Sequence, residues 1–110
     1  MEVKIYEKDG VSIVDLIGNL DTSTSPDAES KINELLDAGT AKLVINLEKT
    51  AYMSSSGLRV FLGAAKRMMA SGGMVVLCSP NALVAEILQH SGFDTILGIK
   101  STLEEALKSM

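Results

Sequence analysis

Three consecutive hydroxyls, Ser54-Ser55-Ser56, followed by Gly57 and Leu58, form the stretch of this chain best suited to chemistry. They fall where a buried strand should give way to a helix. Upstream, Leu43-Val44-Ile45-Asn46-Leu47 is a short continuous apolar run, the pattern of a strand covered on both faces. Downstream, Leu58, Phe61, Leu62, Ala65, Met68 and Met69 recur at helical spacing and form an apolar stripe. Ser55 or its neighbour can cap that helix, whose first-turn N–H groups and dipole favour an anion. A serine so placed could be a nucleophile, a phosphate-binding residue, or the acceptor of a phosphoryl group.

The elements that position this turn follow from periodicity. Val3–Glu7 and Val11–Ile17, separated by Lys8-Asp9-Gly10, read as an antiparallel hairpin. Gly18 to Thr24 reads as a polar loop. Ser25-Pro26-Asp27 opens a helix that Gly39 ends, and strand Lys42–Leu47 and helix Ser55–Ser71 follow. Strand Met74–Cys78 leads through Ser79-Pro80-Asn81 into a third helix that stops at Gly92. Thr95–Ile99 is a candidate edge strand, and Ser101-Thr102-Leu103-Glu104 opens a last helix as a capping box. The expected order is β-β-α-β-α-β-α-β-α: one α/β domain over residues 1–110, with a mostly parallel sheet and an N-terminal antiparallel hairpin. Loops after its strands bring Asp21, the triple serine and Ser79-Asn81 to one end of the sheet, where open α/β domains place their sites.

Composition narrows the options. With 110 residues, 46% hydrophobic and 22% charged, the chain can fill a single core. Scarce aromatics (4%, no Trp) and a net charge of −4 argue against nucleic acid and anionic membranes as partners. No apolar stretch has the length of a signal peptide or membrane span, so a cytoplasmic location is expected. Cys78 is the single cysteine and reads as a small buried hydrophobe. Neither a metal site nor a cofactor motif is indicated; Gly72-Gly73 lies at a helix end, the wrong end for an anion. A small serine hydrolase using Ser55 would need an adjacent base. The only histidine, His90, falls near the end of the third helix, and Met53 stands where the nucleophile elbow requires glycine.

Tyr52-Met53-Ser54-Ser55-Ser56-Gly57-Leu58, together with Gly18-Asn19-Leu20-Asp21, resembles the STAS domain of bacterial anti-sigma factor antagonists. That family's signature is an aromatic and an apolar residue closing a strand, then Asp-Ser-Ser/Ala/Thr-Gly-Leu opening a helix. The resemblance implies a non-enzymatic partner switch. The unphosphorylated domain would bind an anti-sigma factor that is also a serine kinase, and so release a sigma factor. The kinase would phosphorylate Ser55, and a metal-dependent serine phosphatase would restore it. Ser54 stands where the family has its aspartate; Asp21 and Thr22 map to the partner-facing loop. A STAS adaptor that is never phosphorylated, a subunit of a larger signalling or transport assembly, is the alternative. Rotating 100° per residue from the apolar stripe puts Ser56, Val60, Gly63 and Arg67 on the opposite, exposed face, and these complete the expected partner surface. The free protein is expected to be monomeric.

Overall fold

The computed structural model describes residues 1–110. A hairpin opens the fold: β1 (Glu2–Lys8) pairs antiparallel with β2 (Val11–Leu20), and Asp9 and Gly10 turn between them at positive φ. Helix α1 (Ser25–Asp37) crosses to β3 (Lys42–Asn46), which lies parallel to β2. After β4 (Thr50–Met53) come α2 (Ser55–Ser71), β5 (Met74–Cys78) and α3 (Ala82–His90). A 3-10 turn at Phe93–Thr95, β6 (Gly98–Lys100) and α4 (Leu103–Lys108) complete the chain. The sheet order is β1-β2-β3-β5-β6, with β4 also on β2. This is the expected α/β architecture, a mostly parallel sheet behind one antiparallel hairpin.

Two elements depart from the sequence reading in a way that matters for the serine turn. β2 does not stop at Ile17 but runs on through Gly18 to Leu20, because a partner is waiting for it. That partner is β4, which resumes parallel pairing with β2 after a turn at Glu48-Lys49, the ladder shifting register between Gly18 and Asn19. The register moves from Asp15 opposite Asn46 to Gly18 opposite Thr50 and Leu20 opposite Met53. Thr50 is buried, and its hydroxyl donates to the Leu16 carbonyl at 2.6 Å, so the polar side chain has its partner. The last strand also begins later than expected: the Phe93 carbonyl accepts from the N–H groups of Ile96 and Leu97, and pairing starts only at Gly98.

Each face of the sheet is covered. Under α1, α2 and α3 lies the larger core, with Phe61, Leu16, Leu20, Leu43, Ile45, Leu77 and Leu88 all fully buried. Under α4 lies a smaller one, Val11, Ile13, Val44, Val76, Cys78 and Ala106. The helices stop as their glycines require. Gly39 and Gly72 take positive φ, and the following N–H groups of Thr40 and Gly73 reach back to the Leu35 and Met68 carbonyls.

Helix α2 is buried over a wider arc than a single stripe predicts. Val60 is only 4% exposed and Ala64 is buried, because α1 packs along the flank that the periodicity assigned to solvent. The expected exposed position of Val60 is therefore corrected. Met69, expected in the core, is instead 72% exposed, while Met68 fills the interior. Arg67 remains at the surface but is engaged, donating to Asp37 at 2.8 Å and Asn33 at 3.3 Å and so bracing α2 against α1.

Two substitutions test this packing. Val60→Glu places a carboxylate between α1 and α2; a polar group buried without a partner costs at least ~2 kcal/mol. Thermal denaturation should then show Tm lower by roughly 10 °C, at about 4–8 °C per kcal/mol for a domain near this size. An unchanged Tm would mean that α1 does not cover this residue. Gly57→Ala tests the contact between α2 and β2. A Cβ there would lie 2.7 and 2.8 Å from Leu20 side-chain carbons and 3.2 Å from the Leu20 carbonyl oxygen. Overpacking of this kind costs about 1–3 kcal/mol, against about 1 kcal/mol of helix propensity gained. A net loss of stability is expected in urea titration, together with shifted amide resonances at Ser54–Ser56.

Candidate functional site

The serine turn sits where β2 and β4 end side by side. The Ser54 N–H donates to the Leu20 carbonyl at 2.9 Å, the last rung of that pairing, and the Ser54 carbonyl accepts from the Leu58 N–H to begin α2. Because both strands stop on this rung, the Asp21-Thr22 loop leaves β2 beside the start of α2. Thr22 and Ser56 meet there, hydroxyl to hydroxyl, at 3.3 Å. The structure thus brings together Asp21, Thr22, Ser54, Ser55, Ser56 and Gly57, residues more than thirty positions apart in the chain.

The three serines are not equivalent. Ser54 occupies the N-cap position with an extended backbone, yet its hydroxyl caps nothing; its Oγ is buried and has no hydrogen-bond partner. The expectation that a serine hydroxyl caps this helix is not met. Ser56 is half-buried and its hydroxyl is engaged with Thr22. Ser55 is exposed, on the first residue of α2. With no capping side chain, the first-turn N–H groups stay open to an anion arriving beside Ser55.

Asp21 organises the neighbouring loop. Its Oδ1 accepts from the Ser23 hydroxyl at 2.8 Å, the Ser23 N–H at 3.0 Å and the Thr24 N–H at 3.2 Å. The Ser23 hydroxyl bond, ahead of the backbone bonds, holds the carboxyl below the usual carboxylate range. The Thr24 hydroxyl donates to the Asn19 carbonyl at 2.7 Å and accepts from the Asp21 N–H at 2.9 Å. Thr24, rather than Ser25, is the N-cap residue of α1, and Ser25 instead donates to the Asp21 carbonyl at 2.6 Å. Asp21 therefore stays charged at neutral pH and fixes the loop that flanks Ser56.

Gly63 and Arg67 lie about two and three turns beyond this cluster. With Glu29, Ile32, Asn33 and Ala64 they border a groove of about 280 Å³ between α1 and α2, with the nearly buried Val60 among its lining residues. Sequence reasoning missed three supporting residues. Leu20 is the surface against which Gly57 packs. Thr50 anchors β4 to β2. Asn81, read as part of a helix start at the site end of the sheet, caps α3 by accepting from the Val84 N–H at 2.7 Å, and its amide also donates to the Thr50 and Ala51 carbonyls, a link the sequence reading did not include. The signal available for Leu20 was its place two residues after Gly18 in the matching loop motif; for the cross-chain reach of Asn81 there was none.

The arrangement is poorly suited to covalent catalysis. The Ser55 hydroxyl has no hydrogen-bonded base, and His90 is an exposed residue in the last turn of α3. The Cys78 thiol, fully buried, is pushed up to about 11 by desolvation and stays protonated. No group of three metal-ligating side chains occurs, and no helix is long and apolar enough to cross a membrane.

Comparison with known proteins is consistent with this geometry. The model of the STAS domain family matches residues 2–106. An anti-sigma F factor antagonist of Paenibacillus polymyxa is 31% identical over 111 residues, covering 100% of this chain and 95% of the relative. A Thermotoga maritima crystal structure superposes with a TM-score of 0.93 at 26% identity, over 97% of this chain and 92% of the other. SpoIIAA, at 24% identity, shares the fold in its unphosphorylated form (TM-score 0.84, 98% and 95% coverage) and its phosphorylated form (TM-score 0.76, 98% of each chain). With the family model spanning nearly every residue and the serine turn built where β2 and β4 end, the chain belongs to the STAS domain family.

Proposed function

We propose that this protein is a cytoplasmic anti-sigma factor antagonist. It binds an anti-sigma factor through the Asp21-Thr22 loop and the first turns of α2, and phosphorylation of Ser55 ends the binding. The observation that carries the reading is the division of labour among the serines: of the three, only Ser55 is both exposed and free of a hydroxyl partner. The 31% identical Paenibacillus relative is named for antagonism of anti-sigma F factor, and SpoIIAA has been solved with and without phosphate, which supports the same reading here.

The switch follows from charge. The anti-sigma factor, acting as a serine kinase, transfers the γ-phosphoryl group of ATP to the Ser55 oxygen: the new O–P bond replaces the bond to ADP, which leaves, and the hydroxyl proton is released. The product carries about −1.5 to −2 charges at neutral pH. The uncapped first turn of α2 accommodates that charge within the domain. An interface fitted to a bare hydroxyl does not accommodate it, since the phosphate would have to shed its bound water on entering that interface. A metal-dependent serine phosphatase resets the protein. Gly63 and Arg67 border the outer part of the partner surface, while Val60 supports the α1–α2 groove from within.

A second reading, an unswitched STAS adaptor in a larger assembly, is favoured by one feature: Ser54 replaces the family's aspartate beside the acceptor.

Two experiments separate these readings. In calorimetric titration with the anti-sigma factor, Ser55→Ala should bind like wild type and resist inactivation by the kinase. Ser55→Asp should lose at least tenfold in affinity, about 1.4 kcal/mol, with an unchanged circular dichroism spectrum. Equal affinity of wild type and Ser55→Asp would argue strongly against a phosphorylation switch. Ser54→Asp restores the family's residue at an unused cap. It should stabilise the fold by a few tenths to about 1 kcal/mol and accept phosphate on Ser55 as fast as wild type or faster. The adaptor reading expects no phosphate on either protein, read by mass spectrometry after incubation with kinase and ATP.

A further inference from the structure

β1 is an edge strand whose outer side pairs with nothing in the chain, and all its residues but Val3 are exposed. Two large apolar side chains sit at its centre, Ile5 at 42% and Tyr6 at 41% exposure. They point to opposite faces of the sheet. Ile5 lies opposite Val14 on the face of the larger core, and Tyr6 opposite Ile13 on the α4 face, where its hydroxyl donates to Asp15 at 3.5 Å. An unpaired edge of this length is a template for another strand unless its charges forbid it.

The charges on β1 favour one arrangement that engages the whole strand, since an axis at Val3 would pair only Glu2–Lys4 of it. When two copies pair edge to edge, antiparallel and related by a two-fold axis normal to the sheet, the axis returns each face to itself. Residues facing one another must then point to the same side, so the axis must pass through a residue rather than between two. With the axis at Lys4, that lysine meets its own copy. With the axis at Tyr6, Lys4 meets Lys8 of the other copy, twice. With the axis at Ile5, Glu2 faces Lys8 at both ends, Lys4 faces the Tyr6 ring, Val3 faces the Glu7 stem, and Ile5 packs on Ile5. This register alone pairs opposite charges, places cations over aromatic rings and matches the central apolar residue with itself.

We infer that β1 is a self-association edge: two copies of this chain join through antiparallel pairing of Glu2–Lys8 about a two-fold axis at Ile5. The inference rests on the strand alone and is independent of the phosphorylation reading. It replaces the monomer expected from the sequence with a concentration-dependent dimer.

Paired charge reversals test it, with sedimentation velocity measured across a concentration series into the millimolar range. The wild type should sediment increasingly as a dimer. Glu2→Lys sets lysine against Lys8 at both ends, and Lys8→Glu sets glutamate against Glu2; each should weaken dimerisation by about tenfold or more. An equimolar mixture of the two variants should recover dimers, now mixed ones, and so should the doubly reversed chain. That rescue is a readout that mere local destabilisation cannot produce. Circular dichroism of each variant checks that the fold is intact. A wild type that stays monomeric throughout, or a dimer indifferent to either single reversal, would overturn the inference.

Discussion

The distance between α2 and the end of β2 governs everything at the serine turn. Gly57 stands so close to Leu20 that no side chain fits between them without displacement. This closeness lets the Ser54 N–H reach the Leu20 carbonyl, and that bond joins the end of the β2–β4 pairing to the start of the helix. It also sets Thr22 within reach of Ser56. A helix held farther out would leave the Asp21-Thr22 loop and the serines as separate surface segments. The glycine of the motif is thus a packing requirement, with no need for an unusual backbone angle to explain it.

Around that contact the fold divides its tasks between polar and apolar groups. Burial of Leu20, Phe61 and Met53 fixes where the turn sits. The hydrogen bonds of Thr50, Asp21 and Asn81 then fix the direction in which strands and loops leave it. Only the Ser54 hydroxyl stands outside this arrangement, buried and unbonded. A hydroxyl lacking a partner is costly where it is sealed from water, and such departures from full pairing concentrate at functional positions.

Much of this was legible in the sequence, for identifiable reasons. The Asp-Gly hairpin, the proline and glycine punctuation and the apolar run Leu43–Leu47 are local signals, and they place the hairpin, the helix ends and β3 to within a residue or two, the caps falling on Thr24 and Asn81 rather than Ser25 and Ser79. The grouping of Asp21 and Thr22 with the serines followed from topology and family motif together. What could not be read depended on distant partners. Gly18 to Leu20 resembles a loop until β4 is present to pair with it. Val60 resembles a solvent-facing residue until α1 lies across it, since a helical wheel built for one buried face has no place for a second. Arg67 looked free for a partner, but Asn33 and Asp37 on α1 already engage it.

Cys78 offers a consequence of a different kind. Its sulfur is wholly enclosed between the sheet and α4, 3.6 Å from the Asn46 amide oxygen, and its high pKa leaves almost no thiolate at neutral pH. Alkylating reagents attack the thiolate, so the native protein should be nearly inert to them until the α4 side of the sheet opens. As the chain's only cysteine, it gives every copy a single internal timer: its alkylation rate reports how often α4 lifts from the sheet, without any label being introduced. Comparing that rate with and without phosphate on Ser55, which α2 carries on the other face, would reveal whether the sheet carries news of the modification from one side to the other.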